Sequence, residues 1–197
     1  MNPPPRPGVV LPAGGPPGSA AAGSRKVLFL DRDGVINVDH GYVHTAAQTQ
    51  WVPGIFELCA AARDAGYAPI VVTNQAGIAR GYYTEAQFVA YTRWVHGQFA
   101  QRGVPLLATY YCPHHPQAGI GAYRVACDCR KPGPGMLLAA AKDFGLRLGE
   151  CVLIGDMPSD LQAAAAAGVG TARLLADLPP LPATLFAGPP PPDNPTP

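Results

Sequence analysis

The chain has 197 residues, a net charge of +1 and 14% charged residues, against the roughly 25% usual for soluble domains. That length suits one α/β domain with a proper core and is short for two. So little net charge excludes a global nucleic-acid-binding signature, while leaving room for a local cluster that holds a small anion. Gly 23 and Pro 24 together approach a composition associated with disorder, but seven prolines fall within residues 1–24 and nine within 178–197. Residues 1–24 and 178–197 are therefore expected as unstructured tails, and 25–177 as the folded domain. No stretch reads as a signal peptide or a membrane span, so a cytoplasmic protein is expected, whose five cysteines serve as thiols or metal ligands rather than disulfides.

In chain order, Val27, Leu28, Phe29 and Leu30 predict a short buried strand. Asp31, Asp33 and Gly34 follow where it empties into a loop, the place where open α/β sheets hold ligands. An acid pair on a turning backbone aims both carboxylates at one point. Asp31 as nucleophile and Asp33 as proton donor suit phosphoryl transfer through an aspartyl-phosphate, although Asp and Gly after a strand also simply make turns. Asp39, His40, Gly41 and Tyr42 then form a polar loop. Ile55, Leu58, Cys59 and Ala62 share one helical face, with Gly66 as the stop. Ile70 to Val72 predict a second strand ending in Thr73, Asn74 and Gln75.

Thr84 and Gln87 form a capping-box pattern opening a helix whose Phe88, Tyr91, Val95 and Phe99 face the core. Leu106 to Tyr111 is a third strand candidate, and residues 112–131 a loop without periodicity, unusual enough to call for a staple or a function. A helix from Pro134 to Gly145 follows, then a strand at Val152 to Ile154 ending in Gly155 and Asp156. Ser159 or Asp160 caps a helix to Gly168, and TARLL is a last strand. Alternating strand and helix predict a doubly wound, mostly parallel, Rossmann-like sheet.

In such a sheet the strand ends share one edge, so Asp31, Asp33, Thr73, Asn74, Asp156 and Asp160 converge there. Mg²⁺ held by Asp31 and Asp156 would offset the repulsion between a carboxylate nucleophile and a phosphate monoester. Thr73 would donate its hydroxyl to phosphate, helped by the backbone N–H groups of Asn74 and Gln75, or is an ordinary strand end. Asp160 would orient a metal-held water, cap a helix, or both. Cys112-Pro-His114 and, after twelve intervening residues, Cys127-Asp-Cys129 match a closed, structural Cys₃His zinc site. Arg130 and Lys131 follow at once, so a stapled loop would hold two cations over a phosphate.

These residues carry a resemblance. DRDGVIN, VVTNQ, RKP and GDMPSD, in that order, resemble the four motifs of the haloacid dehalogenase superfamily of phosphatases. INVDHGYVH, TNQAGIARG, CPHHP, CDCRKP and GML are similar to those of its heptose 1,7-bisphosphate 7-phosphatases, and histidinol-phosphatases share much of the pattern. The resemblance covers about Lys26 to Leu174. It implies a fold with a zinc-stapled loop and no large cap domain, with Asp31 as nucleophile and Asp33 as general acid and then base. It places Mg²⁺ on Asp31, the main chain of Asp33, and Asp156. Thr73 and Lys131 would stabilise the transferring group. Asp39, His40, Gly41, Tyr42, Asn74, Gln75, Ala76 and Arg130 would contact a small sugar phosphate, and Cys112, His114, Cys127 and Cys129 would hold zinc.

The activity implied is removal of the 7-phosphate of heptose 1,7-bisphosphate, supplying nucleotide-activated heptose, in a monomer that binds neither nucleic acid nor membrane. Histidinol-phosphate hydrolysis is the rival, and a zinc-stapled phosphate-binding module without turnover is another. Two departures stand out: Met157 occupies a place where the heptose enzymes carry Lys, and a proline-rich tail replaces a last strand and helix, so a trimmed sheet edge is expected.

Overall fold

The computed structural model describes residues 5–15, 25–178 and 186. Its six strands are β1 (Gly8–Val10), β2 (Lys26–Leu30), β3 (Tyr67–Asn74), β4 (Ala108–Cys112), β5 (Val152–Gly155) and β6 (Thr171–Leu174), in the order β1-β4-β3-β2-β5-β6. All neighbours are parallel except β1 and β4. The helices are α1 (Ile55–Asp64), α2 (Ala76–Ala79), α3 (Glu85–Gln101), α4 (Gly135–Phe144) and α5 (Pro158–Ala167). From β2 the chain winds outward through β3 and β4 on one side, then returns to β5 and β6 on the other. The crevice at the strand C-termini therefore opens where β2 meets β3 and β5.

Strand periodicity sorts the core. Leu28 and Leu30 face α1 and α3 through Ile55, Leu58, Cys59, Ala62, Tyr91, Val95 and Phe99. Val27 and Phe29 point the other way, onto Met136, Leu137 and Ala140 of α4 and Ala163 and Ala164 of α5. β2 is buried on both faces by this means, which is why it reads as a continuous apolar run. Cys59 and Cys151 are core residues, and burial pushes the Cys59 thiol up to about 12.

The capping box at Thr84 forms, with the Gln87 N–H donating to Thr84 Oγ1 (3.1 Å) and the Thr84 N–H to Gln87 Oε1 (2.7 Å). The cap expected at Ser159 or Asp160 lies elsewhere. Met157 precedes α5 as its N-cap, Pro158 takes the first helical position, and Asp160 stands third, where its Oδ2 accepts from the Met157 N–H (3.0 Å). Proline suits a helix start because its missing N–H would have lacked a partner there. No large cap domain interrupts the described residues. The long connections 31–54 and 113–134 both leave from the C-terminal edge of the sheet.

The N-terminal segment departs from expectation. Gly8–Val10 pair antiparallel with β4, Val9 opposite Tyr110, and Val10 is buried. Three residues among prolines are too few to show a period, but β4 would otherwise present a row of unpaired backbone groups. Gly8 fits because the Tyr111 ring lies where its Cβ would be. At the other end Phe186 packs on Tyr67, ring centroids 5.2 Å apart. Residues 1–4, 16–24, 179–185 and 187–197 of the expected tails lie outside the described residues. No described helix is long and apolar enough to cross a membrane.

Gly8→Ala should push against the Tyr111 ring and cost about 1–3 kcal/mol of stability, the range for overpacking. Urea denaturation would read this, and an unchanged midpoint would show that the Tyr111 ring gives way without cost.

Candidate active site

β2 delivers Asp31 to the centre of the sheet edge. Its N–H donates to the Ile154 carbonyl of β5 (3.0 Å), and its Oδ1 accepts from the Arg32 N–H (2.6 Å). Oδ2 lies 3.0 Å from Lys131 Nζ. The same ammonium reaches Asp160 Oδ1 at 2.5 Å and the Val72 carbonyl at 3.0 Å, and Lys131 is 5% exposed. Burial works against its charge, but Asp31 and Asp160 prevail and raise its pKa above the ordinary lysine value. Asp31 shows the converse. Burial pushes its carboxyl up to about 7, further than Lys131 draws it down, with Asp160 adding to the rise.

Asp156 follows β5, and oxygens of Asp31, Asp156 and Asp160 lie within 4.8 Å of one another. With all three carboxylates ionised, as a bound cation would favour, they and the one ammonium leave two negative charges. Asp156 Oδ1 is buried without a hydrogen-bond partner, and burial and then Asp160 raise the Asp156 pKa. Gly34, at φ +84°, clears the space beside that carboxylate, since a Cβ there would collide with it. An oxygen-only set with two unbalanced charges and an unsatisfied oxygen fits a hard divalent cation such as Mg²⁺.

Asp33 is held on both oxygens. Arg32 Nε and Nη2 donate to Oδ1 at 3.1 and 2.7 Å, and Nη2 to Oδ2 at 2.6 Å. Asn37 Nδ2 donates to Oδ1 (3.0 Å) and Gln75 Nε2 to Oδ2 (3.2 Å). Gln75 also donates to Thr73 Oγ1 (2.8 Å) and accepts from the Tyr83 hydroxyl (2.6 Å). Because the Thr73 oxygen is the acceptor in that bond, its own proton is free for a ligand. The Gln75 N–H expected to face phosphate instead donates to the Cys112 carbonyl (2.8 Å), continuing the β3–β4 pairing past Asn74.

Cys112 ends β4, and its Sγ lies 3.7 Å from His114 Nδ1, 3.5 Å from Cys127 Sγ and 3.3 Å from Cys129 Sγ. Cys129 Sγ is 3.4 Å from His114 Nδ1 and 3.1 Å from Cys127 Sγ. Zinc bonds of about 2.3 Å set tetrahedral donors about 3.8 Å apart, so the four side chains already sit close to a zinc shell. Without a metal the thiols share protons: burial raises Cys127, and a hydrogen bond from Cys129 pulls the Cys112 thiol down to about 6 and raises Cys129 itself. Two residues on, Lys131 is gripped by Asn74, whose Oδ1 accepts its N–H and whose Nδ2 donates to its carbonyl, both at 3.0 Å. The Tyr123 hydroxyl of the same loop donates to Glu85 Oε2 (2.8 Å), while Tyr111 of β4 donates to Glu85 Oε1 (2.6 Å).

A cavity of about 390 Å³ gathers most of the expected residues: Asp31, Asp33, Asp39, Gly41, Tyr42, Thr73, Asn74, Gln75, Ala76, Lys131 and Asp156 line it. Asp160 lies behind the wall, paired with Lys131. His40 and Arg130 are absent from the lining. His40 faces Gln50 Oε1 (3.2 Å), and Arg130 Nη1 points at the His114 carbonyl (3.4 Å). Sequence reasoning passed over Tyr83, Ser159, Gly77 and the carboxylate holders Arg32 and Asn37. The spacing of Asn37 four residues after Asp33 was the available signal; an arginine between two acids reads as solvated and gave none.

Comparison with known proteins agrees with this geometry. A HAD-hydrolase-like family model matches residues 128–176. A D-glycero-alpha-D-manno-heptose-1,7-bisphosphate 7-phosphatase of Burkholderia mallei is 54% identical over 152 residues, 77% of this chain and 80% of that one. The D-glycero-beta-D-manno counterpart of Vibrio cholerae is 49% identical over 77% of this chain and 82% of its own. The chain belongs to the heptose-1,7-bisphosphate 7-phosphatase family. A crystal structure of D,D-heptose 1,7-bisphosphate phosphatase from B. bronchiseptica, complexed with magnesium and phosphate, superposes with a TM-score of 0.65 at 36% identity, covering 74% of this chain and 78% of that one. Heptose phosphatases named for both anomers thus stand at similar distance from this chain.

Two outcomes follow from the charges. A carboxyl raised from 3.8 to about 7 contributes stability to the metal-free protein that is complete below the lower value and lost as pH rises through the upper one. Mg²⁺ meets the ionised form, so its affinity should strengthen about tenfold between pH 6 and pH 8, as expected for displacement of one proton. Calorimetric titration of the metal-free protein checks this, and a pH-independent affinity would show that the metal displaces no proton from Asp31. For the loop, metal analysis should find one zinc per chain, and Cys129→Ser should lose it and lower the melting temperature.

Proposed function

We propose that the chain is a Mg²⁺-dependent phosphatase that removes the 7-phosphate of D-glycero-D-manno-heptose 1,7-bisphosphate. The observation that carries this reading is the joining of Asp31, Thr73, Lys131 and Asp156 on the wall of one cavity, although 125 residues separate the first from the last. A binding module gains nothing from lining its wall with more carboxylates than cations when the ligand is an anion. A nucleophile and an acid need that placement.

The Asp31 carboxylate attacks phosphorus while the bond to the sugar oxygen breaks, and Asp33 gives that oxygen its proton. Water then attacks the aspartyl-phosphate and yields its proton to Asp33, which frees Asp31 and inorganic phosphate. Lys131 offsets charge beside Asp31 throughout, and Thr73 donates its free hydroxyl proton to a phosphoryl oxygen. Asp31, Asp156 and the Asp33 main-chain oxygen would hold Mg²⁺, which when bound would supply the charge neutralisation that two approaching anions need. Asp39, Gly41 and Tyr42 form the outer wall for the sugar. Met157, 54% exposed, puts a thioether on the rim, and Lys131 is the one cation among the described lining residues. Discrimination for the second phosphate therefore rests on weak contacts at the mouth.

Asp31→Asn should lower kcat by at least about a thousandfold, as loss of a nucleophile does elsewhere. Equal phosphate release by the variant and the parent would leave only a binding module. A kcat/KM profile with Mg²⁺ present should favour heptose bisphosphate over histidinol phosphate. A tenfold preference the other way, about 1.4 kcal/mol, would reassign the substrate.

A further inference from the structure

Arg32 stands between the two acids and yet is 3% exposed and absent from the cavity wall. Its guanidinium makes three contacts with Asp33 and one, from Nη2 at 2.7 Å, with the Val43 carbonyl. The Phe88 and Tyr91 rings flank it, centroids 5.5 and 5.4 Å from Cζ. Nη1 is buried with no hydrogen-bond partner. A residue present for stability alone is badly chosen here. It buries a charge and leaves one donor unmade, whereas an ion pair replaced whole by apolar side chains is often as stable.

What the arginine provides is direction. Both Asp33 oxygens meet Nη2, Nε adds a second contact to Oδ1, and the aromatic rings and Val43 stop the guanidinium from following if the carboxylate swings. Asn37 and Gln75 each reach one oxygen only. We propose that Arg32 is a positioning residue that fixes the direction of the Asp33 carboxyl group, so that in its protonated form it faces the leaving oxygen, acting from behind the site without touching substrate. This rests on the reaction assigned to Asp31 and Asp33 above.

The leaving group separates this role from a structural one. A sugar alkoxide needs a proton as it departs, whereas 4-nitrophenolate leaves without one. Mispositioning Asp33 therefore slows the first ester and spares the second, while general loss of structure slows both alike. First-turnover rates measured by rapid mixing exclude the later hydrolytic step. In Arg32→Gln the first turnover of heptose bisphosphate should fall about a hundredfold or more, the worth of a placed general acid. That of 4-nitrophenyl phosphate should fall less than about tenfold. Arg32→Lys keeps the charge but loses the planar fork, so it should recover part of the first loss and still shift the ratio of the two rates.

Equal losses on the two esters overturn the proposal. Should Arg32→Gln fail to fold by thermal melt, the ratio in Arg32→Lys decides, and an unchanged ratio counts against positioning. Failure of the underlying reaction is read separately: Asp31→Asn turning over 4-nitrophenyl phosphate like the parent would sink it whatever Arg32 does.

Discussion

A single buried ammonium joins the parts of this site. Lys131 donates to the Val72 carbonyl in β3 and forms ion pairs with Asp31 at the end of β2 and Asp160 in the first turn of α5. Burying such a charge costs several kcal/mol unless good partners surround it, and here every partner comes from a different element. The strand order β3-β2-β5 places those elements side by side. Remove the lysine, and carboxylates within 4.8 Å of one another lose their internal counter-charge. The ion cluster is thus a condition on the fold as well as on the chemistry.

The backbone around Lys131 is fixed to match. Asn74 holds its N–H and carbonyl in a reciprocal pair, so the strand that offers Thr73 to the cavity also sets the height of the lysine. Cys129 anchors the chain two residues earlier, and the bond between the Gln75 N–H and the Cys112 carbonyl couples the turn after β3 to the first zinc-side cysteine. Asn74 and Gln75, read from sequence as substrate contacts, do much of their work on other side chains. Gln75 in particular turns its carboxamide to Asp33, Thr73 and Tyr83.

What was legible in the chain followed from periodicity and from strand ends. The apolar runs at Val27 and Ile70, the helical face from Ile55 and the box at Thr84 each carry a local signal that tertiary contacts reinforce. The convergence of Asp31, Thr73 and Asp156 was legible because parallel strands share an edge. β1 was not, since three residues carry no pattern and the reason for them lies in the exposed edge of β4. Nor was the burial of Arg32, which depends on Phe88 and Tyr91 arriving from a helix more than fifty residues downstream. Arg130 and His40 show the opposite limit: adjacency to a motif did not bring either side chain to the cavity.

Glu85 gives the loop a property that its cysteines alone would not. Its carboxylate, in the first turn of α3 where negative charge is favoured, takes one phenol from β4 and one from the stapled loop. The segment that presents Lys131 therefore has two points of attachment, the Cys112, His114, Cys127 and Cys129 cluster that would hold zinc and the phenol on Glu85. The Tyr123 bond to Glu85 involves none of the four cluster side chains, so this part of the loop is tied to α3 by a contact that needs no metal.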